Sequence, residues 1–390
     1  MIYRNRQISK TSNYRYKKLV ERGTMFGASL LLLAIISVVA SFNFIYDRQY
    51  SSYKVINVVN NTNTNTAKYS NYKIGIVKYS TDGVVTRDKD GKLLWNGSYE
   101  MSEPMIDTCG SYAVIAEKEG HDIHIYDEYG EVGAITTLYD IIKVEIASQG
   151  VIAVLMEEDN DNYISLYDVD GTVLCDMKTN SSDDGYPLDM SLSGDGKKLV
   201  TSYLSFKSDS LVDYISFYNF DKVGQNEVNN LVGGWPLGDS IVAPRVAFIN
   251  EDTVCIYKDN GFVLCSMKEI PIVIKDVDFE GEIQSILSND KYIGFVLRAN
   301  SDNPKQLIIY DLKGRKVLDK PLEFDYKAIY FSNNEVIMYH KKTCVIMKPN
   351  GNIKFNYSFD KEIKAFYQSI KPALYYYVDD EKLYMIELDQ

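Results

Sequence analysis

From Lys73 to the C-terminus the chain alternates apolar and polar positions in short runs separated by turn residues. Tyr112-Ala113-Val114-Ile115-Ala116, Tyr163-Ile164-Ser165-Leu166-Tyr167 and Leu307-Ile308-Ile309-Tyr310 are among the clearest of these runs. Period-two alternation rich in β-branched and aromatic residues predicts strands with one buried face. No amphipathic helical pattern runs longer than two or three turns. The strands fall into groups of about four. Groups begin near Pro104, Lys143, Pro187, Pro244, Glu282, Lys327 and Glu362, at spacings of 39, 44, 57, 38, 45 and 35 residues. Four antiparallel strands repeated every 40 or so residues without helices predict an all-β propeller.

The seventh group ends after three strands, whereas Lys92-Leu93-Leu94-Trp95 precedes the first group as an outer strand with no blade. Pairing the two would close a ring of seven blades. The remaining strands, Lys73–Tyr79 and Gly83–Arg87, would then widen one blade, and an eighth blade is the alternative count.

Ahead of the strands lies a different pattern. Met25–Tyr46 holds no charged residue and is long enough, as a helix, to span about 30 Å of hydrocarbon. Arg4, Arg6, Lys10, Arg15, Lys17, Lys18 and Arg22 precede it, opposed only by Glu21. That asymmetry predicts a single-pass membrane protein with a cytoplasmic N-terminus and an extracytoplasmic remainder. The competing reading is a cleavable signal with Val38-Val39-Ala40 at its cleavage site. The run is longer than a signal core, and Phe42, Phe44, Ile45 and Tyr46 continue it past Ala40, which favours an uncleaved anchor. The Asn/Thr-rich stretch around Asn60–Thr66 buries little and reads as a stalk. The expected organisation is therefore a basic tail (1–22), a membrane helix (23–46), a stalk (47–71) and a propeller (72–390).

Of 42 Lys+Arg and 54 Asp+Glu, seven and one fall in the first 22 residues, which leaves 35 against 53 beyond them. So acidic an ectodomain excludes nucleic acid as a natural partner. The basic tail suits anionic headgroups. Cys109, Cys175, Cys255, Cys265 and Cys344 show no framework spacing. One disulfide, Cys255–Cys265 across a hairpin, is the alternative to buried thiols.

Asp88-Lys-Asp-Gly-Lys-Leu-Leu-Trp95 resembles the D-x-x-x-G-K-x-x-W core of quinoprotein-like propeller repeats, in which the tryptophan docks on the neighbouring blade. Related turns recur at Asp127–Gly130, Asp168–Gly171 and Asp311–Gly314 without the tryptophan. Over nearly its full length the chain is more similar to the DUF5711 proteins of clostridia-type Gram-positive bacteria. The resemblance rests on the basic tail and span, the DKDGKLLW turn, the stretch Gly185–Tyr203, and Phe217–Phe220 followed by Gly224-Gln225. It implies a membrane-anchored extracytoplasmic propeller and carries over no activity or catalytic residue.

Candidate chemistry is sparse. His121 and His124 stand three apart on a strand and point to opposite faces, and His340 stands alone, so no metal site is expected. Glu157–Asn162 has the composition of a calcium loop without its glycine or distal glutamate. No nucleophile elbow, phosphate loop or Cys-x-x-Cys occurs, and neither a cofactor nor catalysis is expected. In a propeller, second-to-third-strand loops and blade-to-blade loops open on one rim. That scheme gathers Glu117, Glu119, Glu157, Glu158, Asp159, Asp161, Asp183, Asp184, Asp209, Asp213 and Asp302 into an acidic rim suited to cationic partners or divalent ions. A second candidate is the excursion Asn226–Ile241, whose Trp235 would anchor a partner if exposed or pack on a blade edge if not.

These features predict a scaffold or recognition module for a protein or a cell-wall glycan. One alternative is a glycan- or wall-active hydrolase with a carboxylate pair near the channel. Another is a sensor acting through a membrane partner, because a 22-residue tail holds no output domain.

Overall fold

The computed structural model describes residues 48–61, 67–72, 75–181, 184–207, 210–298, 304–371 and 373–390. The basic tail and the apolar run lie outside these residues, as do Asp183, Asp209 and Asp302. Among the described residues no helix is long and apolar enough to cross a membrane.

The alternating runs form eight four-stranded antiparallel sheets, each a blade. Their first strands are Lys68–Tyr72, Pro104–Cys109, Asp140–Ile146, Tyr186–Leu192, Arg245–Asn250, Glu282–Ser288, Ala328–Ser332 and Ala365–Gln368. First strands of successive blades are bonded side by side and run the same way. Asp189 accepts from Val246 N–H and Ser191 from Phe248 N–H, so the register rises together on both strands. First strands therefore ring the central axis, and fourth strands form the outside.

Eight apolar clusters fill the spaces between neighbouring blades, the last joining blade 8 to blade 1 through Ile76, Leu374, Tyr376 and Met385. Tyr367 and Tyr376 also donate to Tyr69 and Asp88 carbonyls across that junction. Residues Tyr50–Gln390 form one compact unit.

The count of seven is thus corrected to eight. Leu93–Ser98, expected to complete the last blade, instead completes blade 1, where it pairs with Gly83–Asp88. The strand that completes blade 8 is Ser52–Asn60, antiparallel to Lys382–Asp389. Much of the expected stalk is therefore propeller, since Lys68–Tyr72 also opens blade 1. The physical reason lies in its position. An outer strand buries only part of one face, and Ser52–Asn60 keeps Val55, Ile56 and Val58 exposed, so its alternation is faint beside the Asn/Thr tract.

The Asp-x-x-Gly turns join third to fourth strands. In the first, Asp88 accepts from the N–H groups of Asp90 and Lys92, while Gly91 takes a φ of 77° that only glycine adopts freely. The Asp311 turn repeats this geometry, with Gly314 at 71°. Trp95 packs as the motif implied: it is buried and stacks on Tyr126 of blade 2 at 4.6 Å and 4°. Cys255 and Cys265 pair with Leu264 and Val254 rather than with each other, and both are free, buried thiols. Burial pushes the Cys265 thiol up to about 12.

Candidate functional site

Alternate strand direction gives the propeller two unlike rims. The lower rim carries first-to-second and third-to-fourth connections, and the upper rim carries second-to-third and blade-to-blade connections.

On the upper rim, the turn between Tyr112–Glu117 and Asp122–Tyr126 holds Glu119. The turn between Ile152–Glu158 and Asp161–Tyr167 holds Asp159. Both sit at left-handed positions of tight turns, with φ 56° and 54°. Their shape is turn geometry, and their side chains point to water. Glu119, Glu158, Asp159 and Asp184 are exposed, and among the described residues no ion pair holds them. Asp184 accepts from Asn180 N–H at 3.0 Å, and the remaining acids of the set are committed to partners as well. Glu117 accepts from Ser102 N–H at 2.9 Å, Glu157 from the Tyr186 hydroxyl at 3.0 Å, and Asp161 is paired with Lys178 at 2.6 Å. Across the ring, blade 8 acids on the same rim are neutralised by Lys361–Glu381 and Lys364–Asp380 pairs at 2.6 and 2.9 Å. Exposed acids outside any ion pair also stand elsewhere on this rim, at Asp82, Asp259, Glu280, Glu323 and Glu362, so the set on blades 2 and 3 is part of a rim that is acidic around much of the ring.

Asp213 departs from the expected rim. It is fully buried, accepts from Ala243 N–H at 2.6 Å and receives the Ser202 hydroxyl at 2.9 Å. Burial raises its pKa to about 6, against the lowering effect of those bonds. A carboxyl raised in the fold contributes stability that is fully present below its unfolded value and lost as pH rises through about 6. Asp213→Asn is therefore expected to flatten the stability profile between pH 4 and 7 by about 2 kcal/mol. Urea unfolding of both proteins across that range checks it.

Trp235 also departs from the picture of an open loop. The excursion makes two short 3-10 turns and then becomes the outer strand of blade 4, Leu231–Asp239. Trp235 pairs opposite Ile215 and stacks, half-buried, on Phe217 at 5.2 Å. Its glycines and Pro236 disguise a strand, and the proline is tolerated because the outer edge has no further partner. Of the histidines, His124 contacts Glu131 at 2.7 Å and His121 faces Asp140 at 3.4 Å, on separate partners.

The second feature of the ring was not visible in the sequence: a charged belt in the channel wall. Lys143 lies 2.9 Å from Glu145 and 2.6 Å from Asp189, and donates to the Met190 carbonyl. Each carboxylate also accepts a backbone N–H from the next blade. Asp107 takes Ile146 at 2.8 Å, Glu145 takes Leu192 at 2.6 Å and Asp189 takes Val246 at 2.9 Å. Of these groups Asp107 and Glu145 border a cavity of about 720 Å³ at the lower mouth of the channel, which Arg245 and Glu251 also line. Burial raises the carboxyls of Asp107 and Glu145, partly offset by Lys143. Burial alone would lower Lys143, but Glu145 and Asp189 hold it above its ordinary value. The sequence signal was only an acid at alternate positions of consecutive inner strands.

Ring closure and blade count define this protein as an eight-bladed β-propeller, and its docked Trp95 is similar to the tryptophan of quinoprotein-like repeats. A family model, described as a family of unknown function (DUF5711), matches residues 46–388, and the chain belongs to that family. No curated protein matches. Among solved structures the fold is similar to BamB from Moraxella catarrhalis, at 11% identity and TM-score 0.52, covering 86% of this chain and 100% of that one. It is also similar to the computationally designed Ika8 protein, at 13% identity and TM-score 0.51, covering 87% and 99%. A eukaryotic initiation factor matches at 12% identity and TM-score 0.50, covering 87% of each chain. These likenesses establish the fold.

Proposed function

We propose that this protein is a membrane-anchored binding module. Its N-terminus lies in the cytoplasm, its span at 25–46, and its propeller outside, where the upper rim of blades 2 and 3 takes a basic segment of a protein partner. The observation that carries the reading is the exposed, uncompensated set Glu119, Glu158, Asp159 and Asp184 on a rigid ring. The charge asymmetry about Met25–Tyr46 supports the anchor. A non-catalytic role is favoured because the channel carboxylates Asp107, Glu145 and Asp189 each hold a backbone amide of the next blade. Those bonds make them structural before they are anything else.

The test is binding of a Lys/Arg-rich peptide to the full chain in detergent, with an acidic peptide as control. Combined Glu119→Gln, Glu158→Gln, Asp159→Asn and Asp184→Asn is expected to weaken binding about tenfold at low salt and to flatten its salt dependence. Equal affinity for both peptides would discard the rim as the site. Protease added to intact cells should digest the propeller if the topology is right.

A further inference from the structure

We propose that one sector of the lower rim, formed by blades 6, 7, 8 and 1, is a lipid-facing surface for anionic headgroups. The inference rests on the anchored reading above. It begins from where the chain enters the ring. Ser52–Asn60 starts beside Asp389 and ends beside Lys382, so its first residue lies on the lower rim. Tyr50, just ahead of it, donates its N–H to the Lys354 carbonyl and bridges Phe355 at the start of blade 7's outer strand.

Only Asp47, Arg48 and Gln49 separate Tyr50 from the end of the apolar run at Tyr46. Four residue steps reach at most about 14 Å when fully extended. The Asn/Thr tract does not intervene, because it follows Ser52–Asn60 in the chain and precedes Lys68–Tyr72. An anchor ending at Tyr46 therefore tethers Tyr50, on this sector, within about 14 Å of the headgroups.

The sector has the composition such a surface needs. In its connecting loops Lys92, Lys291, Lys313 and Lys371 are exposed, against Asp90 and Asp290 among the described residues, while Arg315 is paired with Asp311 at 2.6 Å. Ile370, in the first-to-second connection of blade 8, is 62% exposed, and Leu93 follows the blade 1 turn at 54%. Basic side chains with scattered aliphatic ones suit an interface of anionic lipid. The opposite sector of the same rim has the reverse sign. Glu128, Asp168, Asp170, Asp221, Glu227, Glu251 and Glu269 are exposed there in the loops of blades 2 to 5, against Lys197, Lys222 and Lys268. An anionic surface would repel that sector and tilt the ring about its blade 7–8 edge. The acidic upper rim of blades 2 and 3 then faces away from the membrane and open to a partner.

The test uses the full chain in nanodiscs of phosphatidylcholine alone or with phosphatidylserine. A fluorophore is placed at Ile370→Cys or, on the upper rim, at Lys342→Cys, and quenching by brominated lipid is read. Quenching at position 370 at least about twice that at 342, and greater with phosphatidylserine, is the expected result. Lys313→Glu with Lys371→Glu should reduce the value in anionic discs to that in neutral discs, with the melting temperature unchanged. Equal quenching at both positions in discs that hold the protein would overturn the lipid-facing sector and leave the anchor standing. Failure of the chain to enter discs would overturn the anchor, and the sector with it.

Discussion

Removal of residues 52–60 is expected to lower the thermal midpoint of the propeller by roughly 5–10 °C and to make it self-associate. The strand pairs with Lys382–Asp389 at eight register positions. Without it the last blade ends in an open edge that carries the buried Leu383, Met385, Ile386 and Leu388. The loss extends to both neighbours. Tyr53 packs on Tyr357 and Phe359 of the blade 7 side at 5.2 and 5.1 Å, and Val59 joins the cluster between blades 8 and 1. In this ring strands from both ends of the chain share blade 8, so this strand couples the first and last blades as well as stabilising one sheet. The comparison is between fragments 48–390 and 61–390, by thermal unfolding and size-exclusion chromatography. Equal midpoints and elution volumes would show that closure does not depend on the strand. For the same reason a soluble fragment beginning at Lys68 is a poor starting point for any binding assay.

What the sequence revealed follows burial. Inner and middle strands such as Tyr112–Glu117 and Ile152–Glu158 are buried on both faces, and their apolar runs marked seven of the eight blades by position. Outer strands are the weak signal. Ser52–Asn60 hides beside an Asn/Thr tract, and Leu231–Asp239 carries three glycines and a proline that read as loop. Missing both concealed the closing strand and left open whether Trp235 was exposed or packed on a blade edge. The acidic rim was legible in part because turn position follows from strand order alone. Which acids are compensated was not, since Lys178 reaches Asp161 across strands and Tyr186 reaches Glu157 across blades. Asp213 misled for a related reason: it is the fourth residue of Ser210–Asn219, where a polar residue is invisible to alternation if it holds a buried amide. The channel belt needed three dimensions, because its partners lie 39 to 57 residues apart.

The second large effect is expected at the centre of that belt. Lys143→Met should destabilise the fold by about 3 kcal/mol at pH 7.5, since removing one member of a buried ionic group leaves the others uncompensated. Methionine keeps most of the lysine stem, so the loss reports charge more than packing. Lys143 satisfies Glu145 and Asp189, which join blades 3 to 4 and 4 to 5 through their amide bonds. Glu145 already titrates above its ordinary value because of burial, with Lys143 acting against that rise. Its contribution is therefore fully present below the unfolded carboxyl value and lost as pH rises through the folded one. Without Lys143 the folded value moves higher still, so the penalty should be greatest near neutrality and shrink toward pH 5 as Glu145 takes a proton. Adding Glu145→Gln to Lys143→Met should recover much of the loss at pH 7.5 and remove its pH dependence. Urea unfolding of the three variants at pH 5 and 7.5 decides the matter. A penalty equal at both pH values would mean that Lys143 acts through its stem, and that the inner strands of blades 2 to 5 are held by backbone pairing rather than by charge.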